Sequence, residues 1–167
     1  MRAARDAGIN FLDDARYNDE TGSAPIATGY SEVLFGELFR TVGWKRDETI
    51  VSNKLWWEFW PEQDAAAELD GSLGRMGFDY IDVIYANPPP GGLSLDEMVG
   101  SLNDLITMGR ARAWAIVNWL APQLLEASRV AAHLGANIDV LHFAFKLLAR
   151  INGQNELDGQ IAIRLLP

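Results

Sequence analysis

The segment DYIDVIYANPPP, residues 79–90, decides the fold that the sequence predicts. Its run IDVIY, residues 81–85, is apolar on both faces, which is typical of a strand of a parallel sheet that helices cover. A helical pattern over residues 65–76 precedes it and stops at Gly77, a residue that favours a helix C-terminus. Residues 65–85 are therefore predicted to form a helix followed by a buried strand.

The same alternation runs along most of the chain. Short apolar runs predict strands at residues 9–13, 49–53, 81–85 and 113–117, with a weaker fifth at 138–141. Helical spacing of apolar residues predicts helices over 31–40 and 65–76, a third that begins with a capping box at Ser94 and Glu97, and a fourth near Pro122. This alternation predicts a parallel sheet with right-handed crossovers.

Two architectures fit a parallel sheet of this kind, an open doubly wound sheet and a piece of a (β/α)8 barrel. No G-x-G-x-x-G motif follows a strand, which weakens the dinucleotide-binding open sheet. A complete barrel needs ~250 residues, whereas this chain has 167. The predicted fold class is therefore α/β, a partial (β/α)8 TIM barrel with its strands in sequence order and roughly half of the full barrel.

Composition excludes several classes of function. The chain has no cysteine and two histidines, so disulfides, thiolate chemistry and a metal site are not expected. A net charge of −9 disfavours nucleic acid and anionic membranes as partners. No apolar stretch approaches the ~20 residues of a membrane span. The charged segment MRAARDAGIN does not match a secretory signal, so a cytoplasmic location is expected.

Polar side chains stand where the predicted strands end, and in a barrel the chemistry collects at these ends. They are Asp13 with Tyr17 after strand one, Lys54 after strand two, Asn87 after strand three and Asn118 after strand four. A lysine lowers the pKa of a neighbouring phenol, and a paired aspartate orients the lysine. The set predicts a proton donor to a carbonyl oxygen, with Asn87 as a second hydrogen-bond donor.

Simpler interpretations stay open for these residues. Asp13, or its neighbour Asp14, could cap a following helix, and Asn87 before three prolines could only start a turn. Tyr30, which precedes Ser31, is the alternative to Tyr17 as the phenol. The three tryptophans of residues 56–60 are expected to serve packing or to form an aromatic pocket wall.

Four segments together resemble the aldo-keto reductase family. They are INFLDDARY (9–17), RDETIVSNKLWW (46–57), SLGRMGFDYIDVIYANPPP (72–90) and GRARAWAIVNW (109–119). The similarity runs from about residue 2 to about residue 135. Within the family, GWKRDETIVSNKLWW (43–57) and YANPPP (85–90) are similar to the branch that includes the β subunits of voltage-gated potassium channels.

The resemblance implies a (β/α)8 barrel and NADPH-dependent reduction of an aldehyde or ketone. It implies Tyr17 as the acid, Lys54 and Asp13 as its tuning partners, and Asn118 as a ligand of the nicotinamide carboxamide. Asn87 stands where most members have a histidine. The motif D-x-A-x-Y is one residue shorter than usual, and Val117 replaces the usual serine before Asn118.

The domain organisation follows from the same resemblance. Residues 1–135 are expected to form the partial aldo-keto reductase barrel, and residues 136–167 a divergent C-terminal segment. The family's phosphate contacts come from later units, so NADP(H) binding is expected to be weak. Three functions remain: an oxidoreductase of carbonyl substrates, a non-catalytic nucleotide-sensing or interaction subunit, and an inactive truncated remnant. Open sheet edges predict self-association.

Overall fold

The computed structural model describes residues 1–134 of the protein. The strands are β1 (Phe11–Asp13), β2 (Ile50–Leu55), β3 (Ile81–Ala86) and β4 (Ala111–Ile116). The helices are α1 (Arg2–Asp6), α2 (Tyr30–Val42), α3 (Ala65–Met76), α4 (Leu95–Thr107) and α5 (Ala121–His133), with a short 3₁₀ helix at Arg46–Glu48. All strand pairs are parallel, in the order β1-β2-β3-β4, which confirms the predicted α/β fold with strands in sequence order.

The register of the sheet places the strand ends side by side. Asp13 of β1 lies opposite Ser52 of β2, Lys54 lies opposite Tyr85 of β3, and Tyr85 lies opposite Ala115 of β4. Side chains alternate between the two faces of a strand, so these residues share one face of the sheet. We call this face the site face.

The opposite face carries the apolar core. Val51, Leu55, Ile84 and Trp114 project from it and are buried against α3 and α4, which contribute Leu69, Met98 and Leu102 to the same core. Full burial of a side chain of this size stabilises a fold by about 1.5–3 kcal/mol. Helices α3 and α4 thus pack on the face of the sheet that is opposite to the site face, and the site face carries the polar side chains.

Helices α2 and α3 approach closely at one glycine. A Cβ atom at Gly36 of α2 would collide with the carbonyl oxygen of Met76 in α3. Asp64 caps the N-terminus of α3, where its side chain accepts a hydrogen bond from the main-chain N–H of Ala67, and Gly77 caps the C-terminus with a φ of 72°. The predicted end of this helix is therefore correct, and its cause is the left-handed conformation that glycine adopts without strain.

Some predicted boundaries were wrong. Strand β1 begins at Phe11 rather than at residue 9, and β4 covers Ala111–Ile116 rather than 113–117. Helix α1 was not predicted, because its five residues bury nothing and so give no apolar pattern; Arg5 attaches it to the carbonyl oxygen of Val42 at 2.8 Å. The weak fifth strand at 138–141 and the segment 136–167 lie outside the described residues, and the proposed domain division stays a prediction.

Within residues 1–134, no helix is both long enough and apolar enough to cross a membrane. The same part of the chain has no group of three metal-ligating His, Asp or Glu side chains.

Candidate active site

Asp13 and Lys54 form an ion pair at the C-terminal end of the sheet. The Nζ atom of Lys54 lies 2.6 Å from Oδ2 of Asp13 and also donates to the carbonyl oxygen of Asp14 at 3.2 Å. The other carboxylate oxygen of Asp13 accepts a hydrogen bond from the hydroxyl of Ser52 at 2.6 Å. The carboxylate of Asp13 thus binds the side chains of β2, and not the N-terminus of a helix.

Ser52 is a residue of this site that sequence reasoning missed. It is fully buried and lies two residues before Lys54, on the same face of β2. Its hydroxyl holds Asp13 in the orientation that the ammonium group requires. The signal that could have found it is the spacing of two along a strand, which places Ser52 and Lys54 on one face.

A buried polar network lies on the face of β2 opposite to Lys54 and holds this strand in place. Asn53 points away from the site, and its Nδ2 donates to Oε1 of Glu32 at 2.7 Å. Glu32 of α2 is fully buried and also pairs with Nε of Arg75 in α3 at 2.5 Å. A buried carboxylate is tolerated when it is paired and hydrogen-bonded, as it is here. This network ties β2 to both helices directly behind Lys54.

Asn87 and Asn118 form a second pair at the same end of the sheet. Nδ2 of Asn118 donates to Oδ1 of Asn87 at 2.8 Å, and Nδ2 of Asn87 donates to the carbonyl oxygen of Leu55 at 3.0 Å. Asn87 is buried, whereas Asn118 is exposed and has a φ of 64°. Asparagine adopts this left-handed conformation more readily than most residues do. Asn118 therefore presents its amide beside the site and holds Asn87 with it.

Tyr17 contacts an aromatic side chain of the loop after β2. Its ring packs against the ring of Trp56, with 6.1 Å between centroids, and the residue is 55% exposed. No hydrogen bond joins its side chain to Lys54 in the part of the chain that the structure describes. The alternative phenol, Tyr30, begins helix α2 and is half-buried; its side chain has no hydrogen bond to Lys54 there either.

The position of Tyr17 follows from the residue before it. Arg16 is buried and pairs with Glu58 at 3.0 Å and with Glu68 at 3.5 Å. The carboxylate of Glu68 also accepts the main-chain N–H groups of Trp56 at 2.8 Å and Trp57 at 3.1 Å. Glu68 thus anchors the loops after β1 and β2 together, and it is a second residue that sequence reasoning missed.

Tyr85 is a phenol that sequence reasoning did not assign to the site. Nζ of Lys54 lies 5.9 Å from the centroid of its ring. Burial raises the pKa of Tyr85, and the negative charge of Asp13 raises it further. The side chain is half-buried and lies on the site face, opposite Lys54 in the register of the sheet.

Asp14 is not a helix cap, because the next helix begins at Tyr30. Its main-chain N–H donates to the carbonyl oxygen of Ser52 at 3.1 Å, which extends the pairing of β1 with β2. Burial raises the pKa of its carboxyl group to about 6, an effect that a hydrogen bond from Ala15 opposes and the charge of Glu32 reinforces. Its Oδ2 atom is buried and has no hydrogen-bond partner in the described residues.

The arrangement fits one end of a nicotinamide dinucleotide. Asn118 offers an exposed amide, which can hydrogen-bond to a carboxamide with complementary donors and acceptors. The cations at this end are already paired: Lys54 with Asp13, and Arg16 with Glu58 and Glu68. The described residues therefore suit the nicotinamide end better than the phosphates.

A protein-family model described as the aldo/keto reductase family matches residues 1–158. The chain belongs to the aldo/keto reductase family. The chain is 35% identical over 141 residues to a protein of Oryza sativa subsp. japonica named "Probable voltage-gated potassium channel subunit beta", with 80% of this chain and 40% of the relative covered. An Arabidopsis thaliana protein of the same name is 31% identical over 134 residues, with 76% of this chain and 38% of the relative covered.

Solved structures give the same fold. An aldo/keto reductase from Klebsiella pneumoniae in complex with NADP and acetate has a TM-score of 0.59 and 24% identity, over 77% of this chain and 41% of that one. A thermostable aldo-keto reductase in complex with the inhibitor epalrestat has a TM-score of 0.63 and 22% identity, over 77% and 43%. The chain thus spans about two fifths of the length of these relatives, as expected for a partial barrel.

Proposed function

We propose that the chain carries the proton-transfer end of the active site of an NADP(H)-dependent oxidoreductase of aldehydes and ketones. Membership of the aldo/keto reductase family supports the class of reaction. The observation that carries the proposal is the Asp13–Lys54 ion pair, next to the Asn87–Asn118 pair, at the C-terminal end of a parallel sheet. Active sites of (β/α)8 barrels occupy this end.

Each of these residues has a role in the proposal. Lys54 supplies a positive charge where negative charge develops on a carbonyl oxygen, and Asp13 holds the ammonium group in place. A phenol beside them donates a proton, for which Tyr17 is the candidate that the family motif gives. Asn87 donates a hydrogen bond to the same oxygen. Asn118 binds the carboxamide of the nicotinamide, and the bound cofactor supplies the hydride.

Weak binding of NADP(H) is part of the proposal. Two cations at this end of the sheet, Lys54 and Arg16, are each paired with an acidic side chain. The chain also covers only 40% of its rice relative. The affinity for NADP(H) would then come mainly from contacts with the nicotinamide end of the cofactor.

A second candidate function is a nucleotide-sensing or interaction subunit without turnover. Two observations favour it: the names of the plant relatives, and the neutral amide of Asn87, which cannot titrate. An inactive truncated remnant is the third candidate. Reduction of a carbonyl compound at the expense of NADPH separates the oxidoreductase from the other two candidates, and NADPH binding without turnover separates the sensing subunit from the remnant.

The test is consumption of NADPH with a panel of aromatic and aliphatic aldehydes, followed by absorbance. Lys54→Met should abolish turnover, because the positive charge at the carbonyl oxygen is lost. Lys45→Met is the matched control, since Lys45 is exposed and pairs only with Glu48 of its own turn at 2.8 Å. Turnover that survives in Lys54→Met contradicts the proposal. NADPH binding without turnover in the unaltered chain favours the sensing subunit, and neither binding nor turnover favours the remnant.

The expected partners are a small carbonyl substrate and a second copy of the chain. In the described sheet, β1 and β4 are the edge strands, and unpaired edges promote association. Sedimentation of the purified chain over a range of concentrations tests this, and a monomer at all concentrations contradicts it. The cytoplasmic location stays a prediction.

A further inference from the structure

Trp57 has a backbone conformation that residues of its size rarely adopt. It follows β2 by two residues, its φ is 60°, and it is 4% exposed. The left-handed region is an outlier for a bulky residue, and it persists only where neighbouring groups hold it. The turn after β2 therefore contains a strained residue whose indole ring the protein encloses.

The carboxylate of Glu68 holds this turn. Its Oε1 accepts the main-chain N–H of Trp56 at 2.8 Å, and its Oε2 accepts that of Trp57 at 3.1 Å. Glu68 lies in the first turn of α3 and is buried, so both hydrogen bonds act in a medium of low dielectric constant, where they are stronger than in water. Two bonds to consecutive N–H groups fix the direction in which the chain turns, and they maintain the left-handed conformation of Trp57.

This turn directs the indole of Trp57 to the end of β3. Its Nε1 donates to the main-chain carbonyl oxygen of Asn87 at 3.0 Å, in a buried hydrogen bond. The main-chain N–H and the Nδ2 atom of Asn87 both donate to the carbonyl oxygen of Leu55, at 3.1 and 3.0 Å. The short segment 55–57 thus binds the main-chain N–H, the main-chain carbonyl group and the side chain of Asn87.

The side chain of Asn87 transmits this restraint to Asn118. Its Oδ1 accepts a hydrogen bond from Nδ2 of Asn118 at 2.8 Å, which leaves Oδ1 of Asn118 as the acceptor for a bound molecule. From the loop after β4, Nε1 of Trp119 donates to the carbonyl oxygen of Ala86 at 2.9 Å. Indole groups from two loops therefore bind consecutive carbonyl groups at the end of β3.

We propose that Trp57, held by Glu68, is a positioning residue of the candidate site: it fixes Asn87 and, through Asn87, the amide of Asn118 that receives the nicotinamide carboxamide. This inference rests on the proposed function. Trp57 and Glu68 are both buried and act through Asn87 rather than on the cofactor. The two amides are oriented before the cofactor arrives, so binding does not lose the free energy of ordering them.

The first experiment measures this restraint and needs neither cofactor nor turnover. The chain is labelled with nitrogen-15, and the side-chain amide resonances are assigned with the variants Asn87→Ser and Asn118→Ser. Trp57→Phe keeps an aromatic ring but removes the indole N–H, so both amide resonances should shift. Trp114→Phe is the matched control, because its indole is also buried but has no hydrogen-bond partner among the described residues. An Asn118 resonance that does not respond to Trp57→Phe overturns the proposal.

The second experiment measures binding of two cofactors that differ at one group. NADPH has a carboxamide, whereas its 3-acetylpyridine analogue has a methyl ketone there and so lacks the N–H groups that Oδ1 of Asn118 can accept. Trp57→Phe should raise the Kd for NADPH about tenfold, as loss of one well-placed hydrogen bond does, and change the Kd for the analogue less than about twofold. A purely structural defect would weaken binding of both cofactors to the same extent, and that result overturns the proposal.

Glu68→Gln tests the origin of the turn at Trp57. Glutamine has one carbonyl oxygen, so it can accept one of the two main-chain N–H groups but not both in the same way. This variant should raise the Kd for NADPH in the same direction as Trp57→Phe, by about threefold. It retains the indole, so it also decides if Trp57→Phe does not fold. An unaltered affinity for NADPH in Glu68→Gln overturns the role of Glu68.

These experiments separate the inference from the proposed function. If the Asn118 resonance responds to Trp57→Phe but the unaltered chain does not bind NADPH, the proposed function fails and the positioning of Asn118 by Trp57 stands. If the unaltered chain consumes NADPH while the resonance and the Kd are insensitive to Trp57→Phe, the proposed function stands and the inference fails.

Discussion

The side-chain amides of Asn118 and Asn87 are joined by a hydrogen bond of 2.8 Å that connects the ends of β3 and β4. Asn118 makes this bond from a left-handed backbone conformation, with a φ of 64°. Its amide is therefore positioned by the turn after β4 as well as by its partner. Contributions of the backbone and the amide can be separated by substitution.

Asn118→Gly and Asn118→Ala should differ in stability but not in cofactor binding. Both remove the amide, so both should weaken NADP(H) binding to the same extent. Glycine adopts a φ of 64° without strain, whereas alanine pays roughly 1 kcal/mol for it. We expect the free energy of unfolding, measured with urea, to be lower in the alanine variant by this amount. Equal stabilities would show that the turn relaxes on substitution.

Asp14→Asn should stabilise the protein at neutral pH. The pKa of Asp14 is raised from 3.8 to about 6, so the folded state holds its proton more tightly than the unfolded state does. The ionised carboxylate therefore costs stability, a cost that is absent below about pH 4, grows up to about pH 6 and is complete above it. We expect the gain from Asp14→Asn to be about 1–3 kcal/mol at neutral pH and close to zero at about pH 4. Urea unfolding over this range is the measurement.

Asp19→Asn is the control with the opposite sign. Hydrogen bonds from the hydroxyl of Thr21 and the main-chain N–H of Ala24 lower the pKa of Asp19 to about 2. Its ionised form thus adds stability above the ordinary pKa, and this contribution is lost as the pH falls toward 2. Asp19→Asn should therefore destabilise the protein at neutral pH and have less effect in acid. If Asp14→Asn and Asp19→Asn changed the free energy of unfolding in the same direction at neutral pH, the opposite pKa shifts of the two carboxyl groups would be contradicted.

Loss of Glu32 should be severely destabilising. Its buried carboxylate pairs with Arg75 and accepts a hydrogen bond from Asn53, and Glu32→Ala leaves Arg75 without this carboxylate and the amide of Asn53 without its oxygen acceptor. Removal of one member of a buried ion pair costs about 3–5 kcal/mol. Glu126→Ala is the control, because the Glu126–Arg129 pair is exposed on both sides and such pairs contribute about 0–1 kcal/mol. Thermal unfolding of the two variants should differ clearly, and equal melting temperatures would contradict the buried network.

Two glycine substitutions should have opposite effects on the stability of the protein. Gly36→Ala places a methyl group against the carbonyl oxygen of Met76 and forces α2 away from α3, at a cost of about 1–3 kcal/mol. Gly74→Ala places one on an open face of α3, where no atom lies within 4 Å, and should stabilise the helix by roughly 0.5–1 kcal/mol. Denaturant midpoints measure both. A Gly36→Ala variant with the same denaturant midpoint as the unaltered chain would mean that α2 and α3 are not in close contact.

Much of the sheet could be predicted, because parallel strands and their polar ends leave local patterns. Asp13 and Lys54 each close an apolar run, so their meeting at one end of the sheet follows from alternation and strand order. Asp82 shows where such reasoning fails. It lies within an apolar run, and the sequence does not reveal that it accepts the N–H of Val51 and pairs with Arg46 and Arg112.

The position of Tyr17 could not be predicted either. It depends on Arg16, which binds Glu68 at a separation of 52 residues, and no local pattern encodes such a contact. The environment of Tyr85 was missed for a related reason. A tyrosine in an apolar strand is expected to pack, and only the register of β2 against β3 brings Lys54 to its ring.

The carboxylate of Glu68 acts as a mechanical link between two walls of the site. It accepts two main-chain N–H groups of the loop after β2 and pairs with Arg16 of the loop after β1. Because one carboxylate is bonded to both loops, a displacement of the loop after β2 would be transmitted to the loop after β1.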